Sequence, residues 1–212
     1  MEDGDQKMDL TNPTRALAPT IDLQLLTILA GVSGEMSRGE ISRLATLVSQ
    51  SAIFKALRRL EAEGIVQVRT TSRVNLYSLN REHVAADAVT ASMGLRGKLF
   101  QRIKDKVASW KILPVTVAIF GSAARGDGNT ESDIDVMIVR SNKVDEESPV
   151  WEEQIYELSQ LIYKWSGNLA SLILVDEKEM AQMVKSKKPI VNSIRKDAIY
   201  LVGSNLVASA SK

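Results

Sequence analysis

Apolar residues recur at helical spacing at Ile21, Leu25, Ile28 and Leu29. This predicts a helix opened by Pro19 and Thr20 and ended by Gly31 and Gly34. Ser37, with Glu40 three residues on, has the form of a capping box before Ile41, Leu44 and Ala45. A turn over residues 46–49 follows. Ser49 or Ser51 then opens a helix striped by Ile53, Ala56, Leu57 and Leu60 and closed by Gly64. Beyond it the pattern changes to strands. Residues 65–68 and 74–79 are strand-like, and the polar link 69–73 makes them a hairpin.

The second half opens with a long helical pattern from His83 to Trp110, carried by Met93, Leu95, Leu99, Ile103 and Val107. It either links the halves or opens a second domain. After Pro114, the almost unbroken apolar run 115–120 reads as a buried strand. It leads straight into Gly-Ser-Ala-Ala-Arg-Gly-Asp-Gly (121–128), and Ser-Asp-Ile-Asp-Val-Met-Ile-Val (132–139) follows. Trp151, Ile155, Leu158, Ile162 and Trp165 mark one face of an amphipathic helix, read as core packing against a sheet. Gly167 and Asn168 end it, and residues 169–175 form another strand. Strand, crossover helix and strand imply parallel pairing. Met180, Met183, Val184 and residues 190–202 predict one or two helices and a short strand, with a frayed tail after them.

Composition narrows the chemistry. With 212 residues, 44% hydrophobic and 25% charged, this is the profile of a globular protein of one large or two small domains. The first nineteen residues are polar, without a signal-peptide pattern, and read as a disordered leader of a cytoplasmic protein. No apolar run is long enough to span a membrane. There is no cysteine and one histidine, His83. A cysteine-based or multi-histidine metal site is therefore excluded, and any metal should be held by carboxylates, which suits Mg²⁺ or Mn²⁺. Net charge is +1 and decides nothing. Between Thr20 and Asn80, seven basic residues face five acidic ones, and four of the seven fall from Lys55 to Arg69. That allows a modest basic face.

Three helices and a hairpin in this order resemble the winged helix-turn-helix family, with Ser-Gln-Ser-Ala-Ile-Phe-Lys onward (49–80) as recognition helix and wing. The resemblance implies double-stranded DNA as partner, read by the N-terminal end of the third helix. Ser49, Gln50, Ser51, Phe54 and Lys55 would face bases or phosphates. Arg58 would lie further along, and Arg69 and Arg73 would flank the wing tip. A protein-interaction module is the rival reading, and Phe54 then belongs to a core.

In the second half, Gly121 and Ser122 sit where a strand yields to a helix, a place that lets phosphate oxygens approach the backbone. Asp133 and Asp135, two apart on a strand, project from one face. They repel each other unless a cation lies between them, and Ile134, Val136 and Ile138 fill the other face. A divalent-metal site beside a phosphate cradle holds the parts for nucleotidyl transfer.

The segment Gly-Ser-Ala-Ala-Arg-Gly to Ser-Asp-Ile-Asp resembles the signature of the DNA-polymerase-β-like nucleotidyltransferases, above all their minimal branch. The fold this implies is α+β: a winged helix-turn-helix (20–82), a helical linker (83–112) and a nucleotidyltransferase-fold mixed β-sheet with flanking helices (113–205). Gly121 and Ser122 would bind the triphosphate of a nucleotide. Asp133 and Asp135 would hold Mg²⁺ or Mn²⁺ and carry catalysis. Arg125 would contact phosphate, or pair with Asp127 or Glu131. Relatives usually place a third carboxylate at the start of the next strand. Here Ala170 and Ser171 stand there, with Ser171 the better fit, while Asp176 lies about 17–20 Å along the strand.

The expected function is metal-dependent transfer of a nucleotidyl group from a nucleoside triphosphate to an unidentified acceptor, by a DNA-binding protein compatible with a homodimer. The alternatives are a transcriptional regulator that binds nucleotide without turnover, or a toxin–antitoxin or phage-defence component.

Overall fold

The computed structural model describes residues 7–9, 11, 13–17, 20–45, 48–128 and 131–205. The expectations for Pro19, for the turn at Thr46, for the tail beyond residue 205 and for the rest of the leader lie outside them. The chain divides into two compact units. One spans residues 12–96; the other takes residues 97 onward together with the described residues before Asn12.

In the first unit, α1 (Ile21–Ala30) is capped by the Thr20 side chain, which accepts the Leu23 N–H. β1 (Met36–Ser37) leads into α2 (Arg38–Leu44), opened by the Ser37–Glu40 capping box. Ser49 caps α3 (Gln50–Ala62). β2 (Val66–Thr70) and β3 (Asn75–Leu79) pair antiparallel, with Val68 opposite Tyr77. β1 adds to the free edge of β3, a strand too short for any periodicity to predict. Leu25, Leu29, Ile41, Ile53 and Leu57 form the dry centre of this unit's core.

The helical stretch expected over residues 83–112 is two helices, not one. α4 (Ala86–Met93) ends at Gly94, a poor helix former. Its Ala86 and Val89 pack into the first unit's core. α5 (Leu95–Ala108) turns Leu99, Phe100, Ile103 and Val107 into the second. One continuous apolar pattern therefore serves two cores. The leader also departs from expectation in its described part: Pro13–Ala16 is a 3₁₀ turn, and Met8 and Thr11 hydrogen-bond to the second unit's body.

The second unit holds a four-stranded mixed sheet of order β6-β5-β4-β7. Its strands are β4 (Thr116–Phe120), β5 (Ile134–Arg140), β6 (Ala170–Asp176) and β7 (Ile199–Val202). β4 lies antiparallel to β5 and to β7, while β5 and β6, joined through α7 (Pro149–Ser166), pair in parallel as the sequence predicted. Side chains alternate across the sheet. Val117, Ile119, Ile134, Val136 and Ile138 pack with α5 and with Trp151, Leu158 and Ile162 of α7. Ala118, Phe120, Met137 and Val139 pack on the opposite face against α8 (Glu177–Lys185) and α9 (Pro189–Asp197). The sheet is thus covered on both faces, and its polar positions fall at the strand ends. Among the described residues no helix is long and apolar enough to cross a membrane.

Candidate functional site

At the end of β4 the chain turns into a five-residue helix, α6 (Gly121–Arg125). Phe120 lies opposite Asp135 in the β4–β5 register. Gly121 adopts φ of +69°, and a Cβ there would collide with Asp135 Oδ2. Glycine is needed at 121 on two counts: its backbone angle, and the carboxylate that fills the space a side chain would take. The Ser122 carbonyl accepts the N–H groups of Gly126 at 2.8 Å and Asp127 at 3.2 Å. That folds the chain back until Gly128 packs against Ser122; a Cβ at 128 would lie 2.9 Å from Ser122 Oγ.

Asp133 is exposed just ahead of β5, and Asp135 is half-buried one turn of the pleat further in. Burial pushes the Asp135 carboxyl above its usual range, and the charge of Asp133 adds to this. The Ser171 hydroxyl, donating to Asp135, and the Arg125 charge oppose it. The parallel register sets Ser171 directly opposite Asp135 and Ala170 opposite Ile134. Residue 171 therefore stands where a third carboxylate would meet the pair. Among the described residues no cluster of three or more acidic or histidine side chains is placed to hold a metal. Asp176 is at the far end of β6, opposite Arg140, and caps α8 by accepting the Glu179 N–H.

Arg125 is held by two carboxylates. Its Nε donates to Asp127 at 2.9 Å and its guanidinium to Asp197 at 2.6 Å, which raises the guanidinium pKa beyond its already high value. Asp127 is one of the partners foreseen in the sequence. Asp197, 72 residues away at the end of α9, had no local signal and is paired only by the packing of α9 on α6. Asn168 was likewise legible only as a helix terminator. It is fully buried and joins three segments.

In the first unit, Ser49, Gln50, Ser51, Lys55, Arg58, Arg69 and Arg73 are all exposed. Four of them are engaged: Ser49 Oγ accepts the Ala52 N–H and shares a hydrogen bond with Ser51 Oγ, the Gln50 amide donates to Ser42 Oγ, and Arg69 pairs with Glu35. Phe54 is not a core residue. It is 40% exposed, with the Arg38 guanidinium 5.6 Å from its ring centroid.

With this geometry in place, comparison with known proteins is decisive for the second unit. Residues 98–202 match the family model of the nucleotidyltransferase domain. The second unit carries a nucleotidyltransferase domain. No protein of curated function matches the chain. Among solved structures, a toxin–antitoxin solved with AMP-PNP is similar at 17% identity over 55% of this chain and 83% of its own, with a TM-score of 0.33. A candidate nucleotidyltransferase from Sulfolobus solfataricus shares 25% identity over 51% of this chain and 83% of its own, TM-score 0.29. TrmBL2, an archaeal chromatin protein, shares 13% over 88% of this chain and 77% of its own, TM-score 0.30. Likenesses this distant carry no argument; the nucleotidyltransferase domain rests on the family match.

Proposed function

We propose that this nucleotidyltransferase domain transfers a nucleotidyl group from a nucleoside triphosphate, with Mg²⁺ or Mn²⁺, and that residues 20–82 are a winged helix-turn-helix that binds double-stranded DNA. The observation that carries the first part is the meeting of Asp133 and Asp135 with the Gly121–Ser122 turn at one end of the sheet. The donors there suit a hard cation: two carboxylates, one of which resists ionisation partly because the other is near, plus a serine hydroxyl. Asp133 and Asp135 would hold the ion, and a divalent cation there would neutralise charge on the phosphoryl oxygens during transfer. Gly121 and Ser122 would seat the triphosphate. The acceptor oxygen forms a bond to the α-phosphorus as the bond to pyrophosphate breaks. Arg125, committed to Asp127 and Asp197, would act by holding α6 to α9 and lending its charge to Asp135 rather than by gripping phosphate. The helix order of the first unit and its exposed Lys55, Arg58 and Arg73 support the DNA-binding part. A cytoplasmic location belongs to the same proposal.

Calorimetric titration with Mg²⁺ and ATP tests the site. Asp133→Asn and Asp135→Asn should stay folded and lose metal-dependent triphosphate binding; unchanged affinity in both variants would overturn the assignment. A second reading has one observation in its favour. Ser171 cannot supply the charge or the base of a third acid, so a regulator that binds nucleotide without turnover fits as well. Labelled triphosphate separates the two: turnover marks the enzyme, and DNA affinity that changes with nucleotide without turnover marks the regulator.

A further inference from the structure

The leader makes its most specific contacts around the loop that carries Asp133. The Thr11 N–H and hydroxyl both donate to the Gly128 carbonyl, at 2.8 and 2.5 Å. Met8 pairs with the turn between α7 and β6: its N–H donates to Ser166 O at 2.9 Å and to Asn168 Oδ1 at 3.1 Å, and its carbonyl accepts from Asn168 Nδ2 at 3.1 Å. That same Nδ2 donates to the Ser132 carbonyl at 3.0 Å. Asn168 is 0% exposed. Its backbone N–H is itself fixed by Ser166 Oγ at 3.1 Å. The Leu169 carbonyl then accepts the Ile134 N–H at 2.8 Å, which starts the β5–β6 pairing.

These contacts fall at both ends of one loop. Gly128 packs on Ser122, and Ser132 immediately precedes Asp133. Asp133 lies between Ser132 and Ile134, the first residue of the ladder, so on its N-terminal side its position depends on what fixes Ser132. A buried amide that donates to two carbonyls and accepts one N–H is a stiff tie, because withdrawing it removes the bonds on all sides. Other residue types with one hydrogen-bonding sense, such as aspartate, could not fill the role.

We infer that Thr11 and Asn168 are positioning residues of the nucleotidyltransferase site, together holding Gly128 and Ser132 on the approach to Asp133. Met8 and Thr11 act together as a strap over these two points. The inference rests on the reading of Asp133 as part of that site.

The test uses the full-length chain, with site-resolved amide exchange and Mg²⁺–ATP titration. Thr11→Pro removes both donors to Gly128, Thr11→Ser keeps both, and Asn168→Ala removes the buried tie. In Thr11→Pro and Asn168→Ala, amides of residues 131–134 should exchange about tenfold faster, while those of 137–139 in mid-strand stay protected. Mg²⁺–ATP affinity should fall by a similar factor, and Thr11→Ser should match the wild type in both. Should Asn168→Ala fail to fold, Thr11→Pro, which lies outside both cores, decides alone. Unchanged exchange at 131–134 in Thr11→Pro overturns the inference. So does faster exchange with unaltered Mg²⁺–ATP affinity, which would leave only a structural tie. A wild type that binds no Mg²⁺–ATP instead overturns the reading of Asp133, while the exchange result still accepts or rejects the strap.

Discussion

Gly64 and Gly121 share a backbone angle, with φ of +78° and +69°, yet they answer to different causes. Gly64 ends α3 in the first unit, and the nearest atom a Cβ would meet is His83 Cδ2 at 4.0 Å. Gly121 starts α6 in the second unit, and a Cβ would run into Asp135. The contrast extends to their surroundings. The exposed face of α3 is built from neighbours in sequence, with charged groups in solvent. The Gly121 site is built from strands β4, β5 and β6, with a half-buried carboxylate at its centre. A local site tolerates change at each position nearly independently. A site assembled across strands couples its residues, because each occupies space or charge that another requires.

The largest effect should separate the two glycines. Gly121→Ala should cost about 2–4 kcal/mol, combining the backbone penalty with the collision, whereas Gly64→Ala should cost only about 1 kcal/mol. In an Asp135→Ala background the cost at 121 should shrink toward the Gly64 value. Denaturant titration of the four variants closes this cycle, and equal costs in both backgrounds would show that Asp135 does not fill the space.

Next in size is Ser171→Asp. A third carboxylate opposite Asp135 adds like charge, so the metal-free protein should lose on the order of 1 kcal/mol. Mg²⁺ should return more than that, about 2.7 kcal/mol at a hundredfold excess over its dissociation constant. Melting with and without Mg²⁺ measures both. No added gain from Mg²⁺ in the variant would mean that residue 171 does not face the ion.

The α3 face predicts a smaller and more additive response. If Lys55, Arg58 and Arg73 meet DNA phosphates, each should contribute about 0.9 log units to the fall in affinity per tenfold rise in salt. Replacing any one with alanine should lower the slope by that amount. Arg69→Ala should lower it less, because Glu35 already pairs with that guanidinium. Fluorescence titrations over a salt series check the ranking; equal effects at 69 and 73 would mean the Glu35 pair opens on binding.

The smallest effect is in acid. The Ser37 hydroxyl and backbone hold the Glu40 carboxyl below its ordinary value, and Arg69 does the same for Glu35. Carboxylates with lowered folded values stabilise the fold above the unfolded value, near 4.5, and lose that contribution as pH falls through the folded value. The first unit should therefore weaken below about pH 4.5. Glu40→Gln keeps the capping geometry but cannot titrate, so its unfolding should vary less with pH over this range. An unchanged acid profile would remove Glu40 from the account.

The sequence by itself determined what depends on neighbours along the chain. The Ser37–Glu40 box, the stripe of α3, the apolar run of β4 and the alternation that points Asp135 away from Ile134 and Val136 are all consequences of helical or strand periodicity. The parallel pairing of β5 with β6 was also legible, because a crossover helix leaves a strand few ways to return, while the place of Ser171 in it was implied by the family resemblance and its register opposite Asp135 was set by the fold. Only the tertiary structure decided the rest. It split one helical pattern at Gly94 between two cores, since periodicity shows that a face is buried but not against what. It made a third strand of Met36 and Ser37, which only an open edge of β3 could recruit. It paired Arg125 with Asp197, Thr11 with Gly128, and Asn168 with Met8 and Ser132, because hydrogen bonds between residues far apart in sequence leave no period to read. For the same reason Gly121 reads in sequence as an opening for phosphate, and only the folded sheet shows Asp135 already standing in the space its side chain would take.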